Sequence, residues 1–223
     1  MKASKRFSIV IALCTALLVL AGSIAVPILF RPFYYLQMDT LDLEARTGYS
    51  AETIRAAYDE VLDFCVLGAP FGTGTLRWSE SGRSHFADAA RLFRLDFAVG
   101  AAAAAALLIC LFLRLRRDLR PYRFLGRGPG FWGGALLAVC FAAVTALAAA
   151  DFDRAFVVFH SLFFPGKDNW IFDPAADEII NILPQDFFMN CALCIVAVLL
   201  VCCACLIASD FAGRRRKKVF SKV

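Results

Sequence analysis

Charged residues are scarce in this sequence. Only 19% of the 223 residues are Asp, Glu, Lys or Arg, and 60% are hydrophobic. Soluble domains average about 25% charged and about 45–50% apolar residues. The shortage is concentrated in four stretches, at about residues 7–30, 95–113, 131–150 and 189–208. Each approaches or exceeds the roughly 17–25 apolar residues that cross a bilayer, so the composition argues against an ordinary soluble domain.

The four apolar stretches predict the architecture. Because hydrocarbon cannot hydrogen-bond a bare backbone, each stretch should be a helix. We therefore predict an all-α membrane protein, with residues 1–223 forming a single membrane domain of four transmembrane helices. Two outer loops, 31–94 and 151–188, should be structured, with short helices and a small β-hairpin that cap the bundle, and a loop at 114–130 should face the cytoplasm.

The first apolar stretch follows a basic start, as signal peptides do. Its apolar run is longer than the usual 7–15 residues of a signal peptide, and three further stretches follow it. We interpret it as a membrane anchor that is retained.

The distribution of basic residues predicts the orientation. Fifteen of the 24 Lys and Arg residues, but only two of the 19 acidic residues, lie before residue 7, between residues 114 and 130, or after residue 208. Short cytoplasmic segments carry an excess of Lys and Arg, so both termini should be cytoplasmic and the loops 31–94 and 151–188 extracytoplasmic. The net charge of +5 thus reflects topology and does not predict a nucleic-acid partner.

Several patterns that would indicate other functions are missing. No HExxH zinc motif occurs, and neither GxSxG nor SxxK marks a serine nucleophile. Among the nine cysteines only Cys65 lies well inside an outer loop, whereas a quinone-linked thiol oxidoreductase needs exposed cysteine pairs there. The apolar stretches also contain few polar groups, which disfavours a transporter. We predict neither a metal nor another cofactor.

Histidine is the rarest informative residue, with two in the chain. His85 belongs to the first outer loop and His160 to the second, and aromatic residues surround both. Ser84 is predicted to cap the helix that leads into the second span. This would place His85 in the first helical turn, where the helix dipole favours the neutral imidazole. Ser50 is predicted to cap a further helix in the same loop.

Two histidines on one side of the membrane suggest a shared site. Metal binding with neighbouring carboxylates such as Glu80 and Asp88 is one interpretation, and a serine nucleophile beside either histidine is another. The third is an acid/base pair without a protein nucleophile. It suits a reaction in which nucleophile and electrophile both belong to the substrate. A shared site requires the imidazoles to lie within roughly 10 Å of each other.

Longer motifs surround both histidines. Residues 79–86 read SESGRSHF and residues 159–165 read FHSLFFP. With further stretches in both outer loops, at 31–35, 47–50, 168–172 and 183–188, they resemble the Lit family of bacterial lipoprotein intramolecular transacylases. The resemblance covers nearly the whole chain.

The resemblance implies a membrane acyltransferase of the bacterial plasma membrane. Such enzymes move the sn-2 acyl chain of a diacylglyceryl-cysteine lipoprotein to the α-amino group of its N-terminal cysteine, giving the lyso form. The partners implied are the diacylated lipoprotein and membrane lipid. His85 and His160 are then the catalytic candidates, with His85 as the base and His160 as the oxyanion stabiliser or proton donor, or with the roles exchanged. Substrate-binding or supporting contacts are expected from Arg31, Glu80, Asn169 and Trp170.

A different class of function remains open from the residues alone. The acidic outer loops could bind a partner protein, and the histidines could report pH. The chain would then be a non-enzymatic envelope sensor or assembly partner.

Overall fold

The computed structural model describes residues 3–117 and 119–220, with the backbone alone described for 214–220. Part of the charge count above therefore lies outside the described residues, at Lys2, Asp118 and Lys222, and so do the side chains of 214–218. Helices dominate the described chain. They are α1 (Lys5–Leu29), α2 (Pro32–Thr40), α3 (Leu43–Thr47), α4 (Ala51–Leu67), α5 (Glu80–Arg117), α6 (Pro129–Ala150), α7 (Phe152–Phe163) and α8 (Gln185–Phe220).

Four helices are long and apolar enough to cross a membrane, namely α1, α5, α6 and the Gln185–Gly213 part of α8. The shortest, α6, has 22 residues, or about 33 Å at 1.5 Å per residue, against a hydrocarbon core about 30 Å thick. In each of them only 11% of the most apolar stretch is buried inside the protein. Apolar surface of this extent needs a lipid environment, and the chain is a multi-pass membrane protein.

The chain forms two compact units. The first contains Met1–Ile24, Phe97–Ala146 and Ile195–Val223, and the second contains Ala25–Asp96 and Leu147–Cys194. Each unit is described by itself below.

In the first unit, α1 and α6 approach closely at a glycine. A Cβ atom on Gly133 would lie 2.6 Å from the Ala12 carbonyl oxygen, nearer than two such atoms can come. The only strand pairing in the described chain is also here, between β1 (Ala3–Ser4) and β2 (Arg120–Pro121), in parallel register.

Tyrosines organise the core of the second unit. The rings of Tyr34 and Tyr58 stack with centroids 3.7 Å apart, and the edge of Phe187 meets Tyr34 at 5.2 Å. The Tyr34 hydroxyl donates to the Ile182 carbonyl oxygen at 2.8 Å, so the polar end of this buried ring is satisfied. Helices α2, α4, the start of α8 and the 3-10 helix Glu178–Ile182 are thereby joined.

Two helix caps were predicted within residues 31–94, and the structure confirms one of them. Ser50 caps α4 by accepting a hydrogen bond from the Thr53 amide, as predicted. The predicted cap at Ser84 is wrong, because α5 begins a turn earlier at Glu80 and the Ser79 hydroxyl accepts from the Gly82 amide. His85 therefore lies in the second turn of α5, where the dipole acts less strongly.

The small β-hairpin expected in the outer loops is absent from the described residues. The segment Leu76–Trp78, whose sequence alternates like a strand, forms none: Leu76 is a bend, and Arg77 and Trp78 have no regular secondary structure. Arg77 instead meets Glu178, with the Arg77 amide donating to the Glu178 carboxylate at 2.8 Å and the Glu178 amide donating to the Arg77 carbonyl at 3.0 Å. These two hydrogen bonds join the two segments without forming a strand ladder.

We predict that Gly133→Ala destabilises the protein, because the added methyl group meets the backbone of α1. Overpacking of this kind typically costs about 1–3 kcal/mol. Thermal unfolding in detergent is the measurement. The matched control is Gly22→Ala on α1, where nothing lies within 4 Å of the added Cβ. Equal melting temperatures for the two variants would contradict the close approach.

Candidate active site

His85 lies near the N-terminus of α5, before the apolar stretch that begins at about residue 95. Its side chain is almost completely buried, with the residue 8% exposed. The edges of Phe164 and Phe172 approach the imidazole with ring centroids at 5.0 and 5.5 Å. An imidazole in these surroundings has little access to water, so its charged form is disfavoured.

His160 lies in the last turn of α7, a helix that the sequence analysis did not predict, and is also buried. The indole of Trp170 stacks on its imidazole, with centroids 4.5 Å apart and the planes inclined by 26°. The Trp170 Nε1–H donates to the Lys167 carbonyl oxygen at 3.1 Å, which holds the indole in place. Phe156 covers the imidazole from one turn earlier in α7, at 4.3 Å.

The structure brings the two histidines together. Their ring centroids are 5.7 Å apart and the planes are inclined by 33°. This is within the separation expected of a shared site. The imidazoles of α5 and α7 thus lie together among the aromatic rings of Phe156, Phe164, Trp170 and Phe172.

The tautomer of His160 follows from its hydrogen bond. Its Nδ1 lies 2.7 Å from the Phe156 carbonyl oxygen, and a carbonyl oxygen can only accept. The proton of a neutral His160 is therefore on Nδ1, which leaves the Nε2 lone pair available.

Burial keeps both imidazoles neutral. Desolvation, followed by the neighbouring His160, lowers the pKa of His85 from 6.5 to about 4. Desolvation also lowers the pKa of His160, against which the hydrogen bond to Phe156 acts in the opposite direction. Both rings are thus poised as proton acceptors at neutral pH.

A buried carboxylate lies one helical turn after His85. The Asp88 side chain is 7% exposed and accepts hydrogen bonds from Lys167 Nζ at 2.6 Å and Asn169 Nδ2 at 3.2 Å. Arg91 Nη1 donates to its other oxygen at 3.0 Å. Burial alone would raise the pKa of Asp88, but the bonds from Lys167 and Asn169 hold it below its ordinary value.

The four supporting residues expected from the sequence have different positions. Asn169 and Trp170 adjoin the histidines, through Asp88 and by stacking on His160 respectively. Arg31 instead forms ion pairs with Asp59 and Asp63 on α4. Glu80 accepts from Arg83 at 2.9 Å at the exposed start of α5. Neither Arg31 nor Glu80 makes a described contact with a histidine.

The serines beside the histidines both have hydrogen-bond partners. The Ser161 hydroxyl donates to the Val157 carbonyl oxygen of its own helix at 2.9 Å, and Ser84 Oγ accepts from Asn169 Nδ2 at 3.4 Å. Within residues 3–117 and 119–220, no three His, Cys, Asp or Glu side chains are grouped so that they could hold a metal ion.

Asp88 and Lys167 were not recognised from the sequence as partners. Asp88 was considered only as a carboxylate that could help to hold a metal. The spacing of Asp88 three residues after His85 on a helix places the two on one face, and this was the available signal. Nothing in the sequence pairs Lys167 with it across 79 residues.

Residues 9–188 match the family model described as Lipoprotein intramolecular transacylase Lit, which is well over half of the chain. The chain belongs to the Lit family. The family is one of intramolecular transacylases, which are acyltransferases, so the resemblance seen in the motifs around His85 and His160 is confirmed. A comparison with curated proteins gave no match.

Solved structures show the Lit fold at low sequence identity. The membrane-integral lipoprotein intramolecular transacylase Lit from Bacillus cereus is similar with a TM-score of 0.83 and 24% identity, over 96% of both chains. A variant of that enzyme with a histidine replaced by arginine gives a TM-score of 0.79 at 23% identity, covering 96% of this chain and 92% of the other. The corresponding alanine variant gives 0.76 at 24% identity over 94% of both chains.

We predict that His85 titrates at about pH 4 in the folded protein, and that His160 titrates below 6.5. Because the unfolded chain then binds more protons between pH 6.5 and 4, the free energy of unfolding should fall as the pH is lowered through this range. Nitrogen-15 NMR of labelled histidine in detergent measures both pKa values. The unfolded protein serves as the control and should titrate near 6.5. A folded midpoint at or above 6.5 for His85 would contradict the effect of burial.

Proposed function

We propose that this chain transfers the sn-2 acyl chain of a diacylglyceryl-cysteine lipoprotein to the α-amino group of that cysteine, giving the lyso form. His85 and His160 act as the acid/base pair. The observation that carries the proposal is the pair of buried, neutral imidazoles 5.7 Å apart, set in the motifs by which the chain resembles the Lit family.

The reaction needs a proton moved and little else. The cysteine amine attacks the ester carbonyl carbon, an amide C–N bond forms, the ester C–O bond breaks, and the proton lost from nitrogen reaches the glycerol oxygen. Both reacting groups belong to one substrate molecule, so the protein need only hold them in contact and handle the proton. No protein nucleophile is required. This fits the hydrogen bonds that Ser161 and Ser84 already make, to Val157 and Asn169 respectively.

Two imidazoles suit the two ends of this proton transfer. An unperturbed α-amino group has a pKa of about 7.7–8.0, and its N–H becomes far more acidic as nitrogen attacks the carbonyl. His85 accepts that proton, and the imidazolium so formed is stabilised by the charge of Asp88. His160, with its Nδ1 bound to Phe156, has its Nε2 lone pair free. Nε2 receives the proton from His85 and delivers it to the departing glycerol oxygen. The roles of the two rings are interchangeable in this scheme.

The surface around His160 fits a lipid substrate. Helix α7 buries His160 while exposing Val157, Val158 and Leu162. An amphipathic helix with an exposed apolar surface is suited to lie against acyl chains at a membrane interface. The excess of basic residues outside the two histidine loops supports placing this site at the outer leaflet, with both termini cytoplasmic.

The neutral histidines argue against the sensor interpretation. A pH sensor near neutrality needs a group that changes charge between about pH 5 and 8. Burial lowers the pKa of His85 to about 4, below that range. Acid/base catalysis uses a neutral imidazole, and this is the state that the site maintains.

The test is lipoprotein maturation in a strain that lacks its own transacylase. We expect His85→Ala and His160→Ala each to reduce lyso-lipoprotein formation by about 10²-fold or more, because a positioned acid or base contributes about 10²–10⁴-fold. Mass spectrometry of lipoprotein N-termini is the readout, with membrane levels of each variant measured in parallel.

A serine variant is the matched control for this test. Ser161→Ala alters the residue adjacent to His160, whose hydroxyl bonds only within its own helix, and should retain activity. Loss of activity in this variant with an intact fold would favour a serine nucleophile. Full activity in both histidine variants would overturn the proposal.

A further inference from the structure

The arrangement around His85 contains two buried polar atoms without partners. His85 Nδ1 and Asn169 Oδ1 are both inaccessible, and neither has a hydrogen-bond partner within normal distance. The Asn169 side chain nevertheless raises the pKa of the His85 imidazole, as a hydrogen-bond acceptor would. Buried polar atoms are rarely left unpaired, so each of these two atoms is a candidate partner for the other.

Asp88 decides which end of the Asn169 amide faces His85. An ionised carboxylate only accepts hydrogen bonds, so the Asn169 atom directed at it must be the NH₂ group. That Nδ2 lies 3.2 Å from Asp88 Oδ2 and 3.4 Å from Ser84 Oγ. With Nδ2 occupied in this way, Oδ1 is the atom that remains for His85. A rotated amide would place its oxygen against the Asp88 carboxylate, which cannot donate, and that hydrogen bond would be lost.

Lys167 keeps Asp88 in its ionised form. Its ammonium lies 2.6 Å from the same Oδ2 atom that receives Asn169, and Arg91 binds the other oxygen. A buried carboxylate without such partners would be driven towards the neutral acid, which can donate as well as accept. Because the ion pair keeps Asp88 ionised, Asp88 can only accept the hydrogen bond from Asn169.

We propose that Asp88 is a positioning residue that sets the tautomer of His85 through Asn169. The carboxylate orients the amide, the amide oxygen accepts the proton of His85 Nδ1, and Nε2 is left with its lone pair towards the substrate. The proposed function is assumed in the last step. An orienting acceptor on one imidazole nitrogen is a recurrent means of presenting the other nitrogen to a substrate.

The chain has only two histidines, which makes the tautomer directly measurable. Nitrogen-15 shifts of labelled histidine distinguish Nδ1–H from Nε2–H rings, and a His160→Gln variant leaves only the signal of His85. We expect His85 to be an Nδ1–H tautomer at neutral pH in the full-length protein in detergent. An Nε2–H ring or an imidazolium would overturn the proposal.

Asp88→Asn tests the first of these interactions, the hydrogen bond between Asp88 and Asn169. It keeps the shape of the side chain but can present its own NH₂ group, so the Asn169 amide is no longer fixed. We expect the His85 signal to move to the Nε2–H tautomer or to a mixture, and lyso-lipoprotein formation to fall at least about tenfold, as for other orienting partners. An unchanged Nδ1–H signal in Asp88→Asn would overturn the proposal.

Two further variants keep the test decisive. Asn169→Leu removes the amide but leaves Asp88 paired with Lys167, and should change the tautomer in the same way even if Asp88→Asn fails to fold. Asp186→Asn is the matched control, because Asp186 is exposed and its ion-pair contact is Arg46 at 3.8 Å. It should leave the His85 tautomer and the activity unchanged. A change in either would mean that the tautomer responds to the loss of a remote carboxylate, and would overturn the specific role of Asp88.

The two proposals fail separately. If His85→Ala and His160→Ala both retain full activity, the proposed function is wrong, and the tautomer measurement still tests Asp88. If His85→Ala abolishes activity while Asp88→Asn leaves both the tautomer and the activity unchanged, the proposed function stands and the role of Asp88 is wrong.

Discussion

Burial of two imidazoles among aromatic rings is the interaction on which the candidate site depends. Removing His85 and His160 from water disfavours their charged forms, and this lowers both pKa values. It also obliges each ring to find partners for its nitrogens, because a polar atom without water or a hydrogen bond costs about 1–3 kcal/mol. The residues around the two rings supply these hydrogen-bond partners. Phe156 supplies a backbone acceptor for one ring, while Asn169 is available to the other.

Charge compensation extends outward from this pocket in steps. The Asn169 amide is held by Asp88, and the buried charge of Asp88 is balanced by Lys167 and Arg91. Elsewhere in the same unit Arg31 is balanced by Asp59 and Asp63. Arg31 directly precedes α2 and the two carboxylates lie on α4, so these ion pairs join the start of α2 to α4.

The four spanning helices and the motifs could be predicted from sequence because both signals are local. Apolar stretches that lack charge mark the four spanning helices, and SESGRSHF and FHSLFFP mark the histidines. The prediction failed where a long-range contact competes with a local one. Ser84 has the composition of a helix cap, yet Ser79 holds that position because Asp177, 98 residues away, fixes its amide and hydroxyl. Helix α7 was missed although its signals are local: Asp151 caps it by accepting from the Arg154 amide, and its polar residues Asp153, Arg154, His160 and Ser161 recur at helical spacing.

The two histidines depend on the fold to different degrees. His160 obtains its Nδ1 acceptor from Phe156, four residues earlier on the same helix, so α7 alone can prepare it. His85 relies on Asn169, which reaches Asp88 across 81 residues of chain. During synthesis the first imidazole emerges long before the side chains that complete its surroundings. The surroundings of His85 are therefore complete only once the segment that carries Lys167 and Asn169 has been made.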